Sequence, residues 1–204
     1  MRESLAYRRH AREIRQGRVP EKYTRVADLV TGKRVLEIGS AEGVLSLLLA
    51  QTADWVTGVE LRPDRHNIAM ELRESWRRRG KRVGNCTLIC ADIRERMDLL
   101  RDIDTVVAVR SIYYLREDVE TVFYAVAQCA SEVVLCGNPS RWPRYENEPE
   151  RLGKFNWFAS GEGMRALLES IGYEIVHEVK EGDPIVVGRR DRGAASSDHG
   201  EDHS

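Results

Sequence analysis

Apolar residues come along this chain in short blocks that alternate between two periods. Blocks of five to seven residues, RVLEI at 34–38, WVTGVE at 55–60, CTLIC at 86–90, DTVVAV at 104–109, EVVLC at 132–136, YEIVHEV at 173–179 and PIVVG at 184–188, have the length and β-branched content of strands. Between them apolar positions recur every three or four residues, which predicts helices over 21–30, 43–52, 64–79, 117–129 and 161–171. Repeated strand–helix units with near-continuous apolar strands predict an α/β fold: a doubly wound, mostly parallel seven-stranded sheet with helices on both faces. Only Lys180-Glu181-Gly182-Asp183 separates the last two strands, so they are expected to form an antiparallel final hairpin at one end of the sheet.

The two ends read differently. Residues 1–20 are rich in Arg and place Leu5, Tyr7, Ala11 and Ile14 near helical spacing, an N-terminal helical arm or lid. Residues 189–204 contain no large apolar residue and are expected to be a disordered tail. Residues 21–188 are expected to fold as one domain, a size at which a single core suffices.

Composition narrows the partners. With 32 Lys+Arg against 33 Asp+Glu the net charge is -1, so no overall field attracts a nucleic acid or an anionic membrane. Neither a signal-peptide apolar segment nor a run of about 18 apolar residues occurs, so no membrane span is expected and the chain is expected in the cytoplasm. Cys86, Cys90, Cys129 and Cys136 form no CxxC pair and read as free thiols, without a metal.

The first strand runs through VLEIGSAEG, residues 35–43, directly into an apolar helix. In an open parallel sheet ligands bind beyond the carboxyl ends of the strands, and glycines there let a ligand lie against the backbone. The second strand ends in Glu60, seventeen residues after Gly43, and an acidic side chain at that tip suits the two hydroxyls of a ribose. A dinucleotide calls for G-x-G-x-x-G. Counted from Gly39, those three places hold Gly39, Ala41 and Val44, so the pattern points to a nucleoside and away from NAD(P).

These residues resemble the class I S-adenosylmethionine-dependent methyltransferases over roughly 24–188. The likeness rests on VLEIGSAEG, on Glu60, on Ala91-Asp92-Ile93 after the third strand and on IDTVVAVRSIYYL at 103–115. It implies S-adenosyl-L-methionine as cofactor. By this resemblance Glu37 and the turn Gly39, Ser40, Ala41 and Gly43 hold the methionine part, Glu60 the ribose and Asp92 the adenine amino group. Leu61 and Ile93 would pack on the ring, and Arg110 would border both cofactor and acceptor. Ala41 stands where the family has a middle glycine.

The acceptor is expected over the loops after strands four and five. These carry Arg110, Tyr113 and Tyr114, and then Arg141, Trp142 and Arg144. Arginine forks pair carboxylates or phosphates and aromatic rings stack on planar or sugar-like bodies, which predicts a small anionic or sugar-containing acceptor methylated at oxygen or nitrogen. Arg110, Tyr113, Arg141, Trp142 and Arg144 are the expected acceptor contacts, and Tyr113, Tyr114 and His66 the candidate bases. Two other readings stand beside this one: an RNA or nucleotide methyltransferase using the Arg-rich arm, and a non-catalytic nucleoside-binding protein. The basic run from Arg73 to Arg82 is less favoured as a nucleic-acid contact, because it ends the helix returning to the opposite edge of the sheet.

Overall fold

The computed structural model describes residues 13–14, 16, 18–138 and 155–191. Its strands are β1 (Arg34–Ile38), β2 (Trp55–Glu60), β3 (Cys86–Cys90), β4 (Thr105–Val109), β5 (Glu132–Cys136), β6 (Glu174–Val179) and β7 (Ile185–Arg189). The helices are α1 (Glu21–Leu29), α2 (Val44–Leu49), α3 (Pro63–Arg78), α4 (Val119–Cys129) and α5 (Gly161–Ser170). All seven predicted strands and all five predicted helices are present, with ends moved by a few residues.

The sheet order is β3-β2-β1-β4-β5-β7-β6. The five strands from β3 to β5 are parallel, β7 runs antiparallel to β5, and β6 pairs antiparallel with β7 at the edge. The hairpin therefore enters the sheet by its second strand. β7 runs through Arg189, whose guanidinium meets Glu132 at 2.9 Å, so ordered structure continues past residue 188.

Strand residues alternate between two apolar layers, as a period of two requires. Leu36, Val106, Ala108, Val133 and Leu135 face α4 and α5, with Phe123, Val126, Met164 and Leu168 among the most buried partners. Val35, Val107, Val109 and Val134 face α1, α2 and α3 through Val26, Leu45, Leu47 and Leu72. Ile14, from the predicted arm, is buried in this second layer.

Local chemistry fixes two of the helix starts. Pro63 opens α3, where its missing N–H is no loss. Ser160 caps α5 by accepting from Gly163 N at 3.0 Å. At the amino edge of the sheet Glu132 accepts from Thr31 N (2.9 Å), Thr31 Oγ1 (2.7 Å), Thr105 Oγ1 (2.9 Å) and Arg189 Nε (3.0 Å), tying the strand ends there and leaving the opposite edge for loops.

Candidate active site

The carboxyl ends of β1, β2 and β4 surround the glycine turn. Gly39, Ala41 and Gly43 all have left-handed backbone, at φ of 78°, 50° and 73°. The glycines are set by the protein's own packing: a Cβ on Gly39 would lie 2.5 Å from Ser111 Cβ, and one on Gly43 2.9 Å from Ala69 Cβ. Ser111 in turn donates to Ile38 O at 2.6 Å and joins the β4 loop to the turn.

The turn's amides are largely used up. Gly39 N and Ser40 N donate to Val59 O at 2.8 and 2.9 Å, Gly43 N to Ser40 O at 2.8 Å, and Ala41 N to Glu60 Oε2 at 2.8 Å. Free N–H groups are what a phosphate seeks at such a turn. Here they already have acceptors.

Glu60, 7% exposed, accepts from Arg62 N through its other oxygen at 2.8 Å. Each oxygen therefore spends one lone pair on the backbone and keeps another. Glu37 is fully enclosed at the end of β1, where it accepts from the Ser46 hydroxyl and amide; burial nevertheless pushes its carboxyl up to about 7. Glu42, also buried, lies 3.7 Å from Arg65 of α3; burial raises its pKa and the charge of Glu60 adds to this. Three acidic side chains thus gather at the turn, and although burial keeps Glu37 partly protonated near neutral pH, the charge that remains favours a cationic ligand.

At the far side Asp92 heads a short 3-10 turn and accepts from Arg94 N at 3.0 Å and Arg94 Nε at 2.9 Å, with Arg94 bridging on to Asp118 at 3.0 Å. The Arg94 hydrogen bonds hold the Asp92 carboxyl below its ordinary range. Leu61 is 60% exposed beside Glu60, whereas Ile93 is buried in the core.

Over β4 the chain turns at Arg110, whose φ is 54°, uncommon for a residue with a side chain. Its Nη2 donates to Asp183 in the β6–β7 loop at 2.5 Å, and its buried Nε has no hydrogen-bond partner among the described residues. Tyr113 is buried and Tyr114 exposed, their ring centroids 4.7 Å apart, and both rings lie within electrostatic reach of Arg65. His66 follows Arg65 in the first turns of α3, half-buried, its Nδ1 without a hydrogen-bond partner among the described residues.

The structure thus brings Glu37, the turn, Glu60, Arg110, Tyr113 and Tyr114 to one edge. Arg141, Trp142 and Arg144 lie outside the described residues. Around this edge the structure also gathers Glu42, Arg65, Ser46, Ser111 and Asp183, none of which was singled out from the sequence. Glu42, inside the turn, and Ser111, in the loop after β4, had a positional signal; Ser46, Arg65 and Asp183 depend on the tertiary placement of α2, α3 and the final hairpin. The basic run is a solvated helix end, as expected: Arg77 and Arg78 pair with Glu74 at 2.7 and 3.8 Å. Cys86 and Cys136 are buried, with burial pushing both thiols up to about 12, Cys129 is half-buried and Cys90 exposed. No helix among the described residues is long and apolar enough to cross a membrane.

Known proteins place this geometry. A family model described as a methyltransferase domain matches residues 10–178. The magnesium protoporphyrin IX methyltransferase ChlM of Synechocystis PCC 6803, solved with bound SAM, is 16% identical, with a TM-score of 0.62 over 94% of this chain and 86% of that one. The methyltransferase domain of bacterial CtHen1-C is 18% identical, with a TM-score of 0.64 over 83% of this chain and 96% of that one. The N-terminal domain of EvdMO1, solved with SAH bound, is 19% identical, with a TM-score of 0.58 over 85% and 82%. A search of curated protein sequences gave no significant match. The sheet order, the turn and the family match lead to one conclusion: this chain belongs to the methyltransferase domain family and is an enzyme of the class I S-adenosylmethionine-dependent methyltransferases.

Proposed function

We propose that this chain transfers the methyl group of S-adenosyl-L-methionine to an oxygen or nitrogen of a small acceptor that is anionic or carries a sugar. The observation that carries the cofactor half is the glycine turn, with amides already bonded within the protein and Glu37, Glu42 and Glu60 gathered around it. A pyrophosphate would meet acidic side chains and few free donors there, while a ligand with a sulfonium and an ammonium meets a favourable field. When bound, the cofactor supplies a methyl group already activated on sulfur.

The chain's own residues then hold and orient. Glu60 offers its remaining lone pairs to the ribose hydroxyls. Asp92 takes the adenine amino group, with Leu61 covering the ring and Ile93 supporting the floor from beneath. Glu37, Ser40 and the carbonyls of the turn face the methionine end. Arg110 borders the acceptor, and Arg141, Trp142 and Arg144 are proposed to complete its contacts. A proton has to leave only if the nucleophile arrives as a hydroxyl or an ammonium; Tyr114, Tyr113 and His66 are the proposed bases, Tyr114 first because it is exposed. In-line displacement needs little else beyond alignment and exclusion of water.

The acceptor class rests on Arg110 and the tyrosine pair at the edge where an acceptor would approach. A similar fold serves a magnesium protoporphyrin IX methyltransferase, in keeping with a small-molecule acceptor. The test is incubation of the full chain with isotopically methyl-labelled cofactor and a cell extract holding both RNA and small metabolites, separated afterwards by size and analysed by mass spectrometry. A labelled anionic or sugar-bearing small molecule supports the reading. Label confined to RNA, or cofactor binding without any labelled product, contradicts it.

A further inference from the structure

Ala41 stands at the middle of the glycine turn and still adopts the left-handed backbone that a glycine supplies freely, with φ of 50°. It is the second residue of the four-residue turn 40–43, which Gly43 N closes by donating to Ser40 O at 2.8 Å. A positive φ at that place ordinarily takes glycine. Holding an alanine there costs enough to shift an equilibrium by about fivefold to thirtyfold. Such a conformation persists only where its surroundings over-determine it.

The surroundings are the first two turns of α3. Ala41 N donates to Glu60 Oε2 and Arg62 N to Glu60 Oε1, both at 2.8 Å, so one carboxylate ties the turn to the residue before Pro63. On the other flank of Ala41, Glu42 is 3% exposed and its Oε1 lies 3.7 Å from Arg65 Nε, in a side chain 18% exposed. One helical turn later on the same face of α3, Ala69 packs against Gly43 so closely that a Cβ there would lie 2.9 Å from its own. The Arg62–Asp64 and Arg77–Glu74 pairs at the two ends of this helix are exposed on both sides, where an ion pair contributes little. The Glu42–Arg65 pair is withdrawn from water, where attraction is stronger and loss of one partner is costly.

We propose that Arg65 is a positioning residue: through Glu42 it holds the glycine turn in the shape that receives the methionine end of the cofactor, which lets an alanine serve where glycine is the usual residue. This rests on the reading above, in which the turn faces that end of the cofactor. Without Arg65 the turn relaxes and Ala41 leaves the left-handed region. Seating the cofactor then has to restore the strained turn, so the cost appears as lost affinity. A glycine at the same place has no such preference to relax, and the need for Arg65 disappears.

The experiment is a double-mutant cycle of Arg65→Met and Ala41→Gly, with Arg65→Lys beside it, each protein shown folded by circular dichroism and titrated with S-adenosylhomocysteine by calorimetry. Arg65→Met is expected to weaken binding by about fivefold or more in the wild-type background and by less than about twofold in the Ala41→Gly background. Arg65→Lys, whose ammonium reaches one atom beyond the arginine Nε, recovers most of the loss. Thermal unfolding without ligand gives a second readout: the melting temperature gained from Ala41→Gly shrinks in the Arg65→Met background, where the turn has already relaxed. Glu42→Gln keeps the shape of the pair without its charge and carries the same expectations should Arg65→Met not fold. Equal loss of affinity in the two backgrounds, no loss in either, Arg65→Lys no better than Arg65→Met, or an undiminished gain in melting temperature overturns the positioning role. Failure of the wild type to bind S-adenosylhomocysteine counts against the cofactor reading of the turn instead, and the ligand-free cycle then decides the coupling by itself.

Discussion

Replacing Glu60 with Ala removes a carboxylate that serves two purposes. Its oxygens each accept one backbone amide at 2.8 Å, from Ala41 and from Arg62, and each retains a lone pair for a ribose hydroxyl. A hydrogen bond to a charged acceptor contributes about 1.5–3 kcal/mol, so losing both hydroxyl bonds weakens cofactor binding on the order of 10²–10⁴-fold. The abandoned amides lower stability separately, by roughly 2 kcal/mol together. Glu60→Gln is the sharper control, because its NH₂ faces one of those amides; it is expected to lose at least about tenfold in affinity. The assay is calorimetry with S-adenosylhomocysteine, with thermal unfolding of the same samples to separate binding from folding. An affinity within about threefold of wild type in folded Glu60→Ala protein would refute the ribose assignment.

Three further outcomes follow from the same geometry. Glu37 is pushed from 4.5 in solution to about 7 by burial, so its contribution to stability is present below about pH 4.5 and lost as pH rises through 7; Glu37→Gln should gain in melting temperature over wild type between pH 5 and about pH 8, and a pH-independent difference contradicts this. Glu132 has its carboxyl held below the ordinary range by hydrogen bonds from Thr31, Thr105 and Arg189, which outweigh the raising effect of its burial. Glu132→Gln turns an NH₂ toward donors and should lower the melting temperature by roughly 5–10 °C, whereas a loss under about 2 °C would show that the tie at the amino edge matters little. Ala41→Gly relieves a left-handed alanine and should raise the melting temperature by about 2–4 °C with cofactor affinity kept; a fall shows that the methyl group packs usefully.

The fold was legible because the central strands are short and mostly apolar and most of the helices are longer and amphipathic, so period and length separate the two kinds of element; α2, VLSLLL, is apolar nearly throughout, and the edge strand β6, EIVHEV, is half polar. The order in which strands lie, and the insertion of β7 between β5 and β6, depend on contacts between residues far apart, such as Glu132 with Arg189, and leave no local trace. The turn and Glu60 were legible for the same reason, being a fixed distance apart in sequence. Their physical roles were only half so. Gly39 and Gly43 read as room for a ligand, while the structure fills that room with Ser111 and Ala69. Arg110 read as a free fork, while Asp183 from the final hairpin takes one end of it. Arg65 carried no signal, since a charged residue on a helix looks solvated until the fold buries it.

The most direct measurement is a calorimetric titration of S-adenosyl-L-methionine and, separately, NAD into the full-length chain at neutral pH. The expected result is saturable one-to-one binding of S-adenosyl-L-methionine, abolished or greatly weakened in Glu60→Ala, with no heat from NAD. Saturable binding of NAD, or none by S-adenosyl-L-methionine in folded protein, would contradict the account.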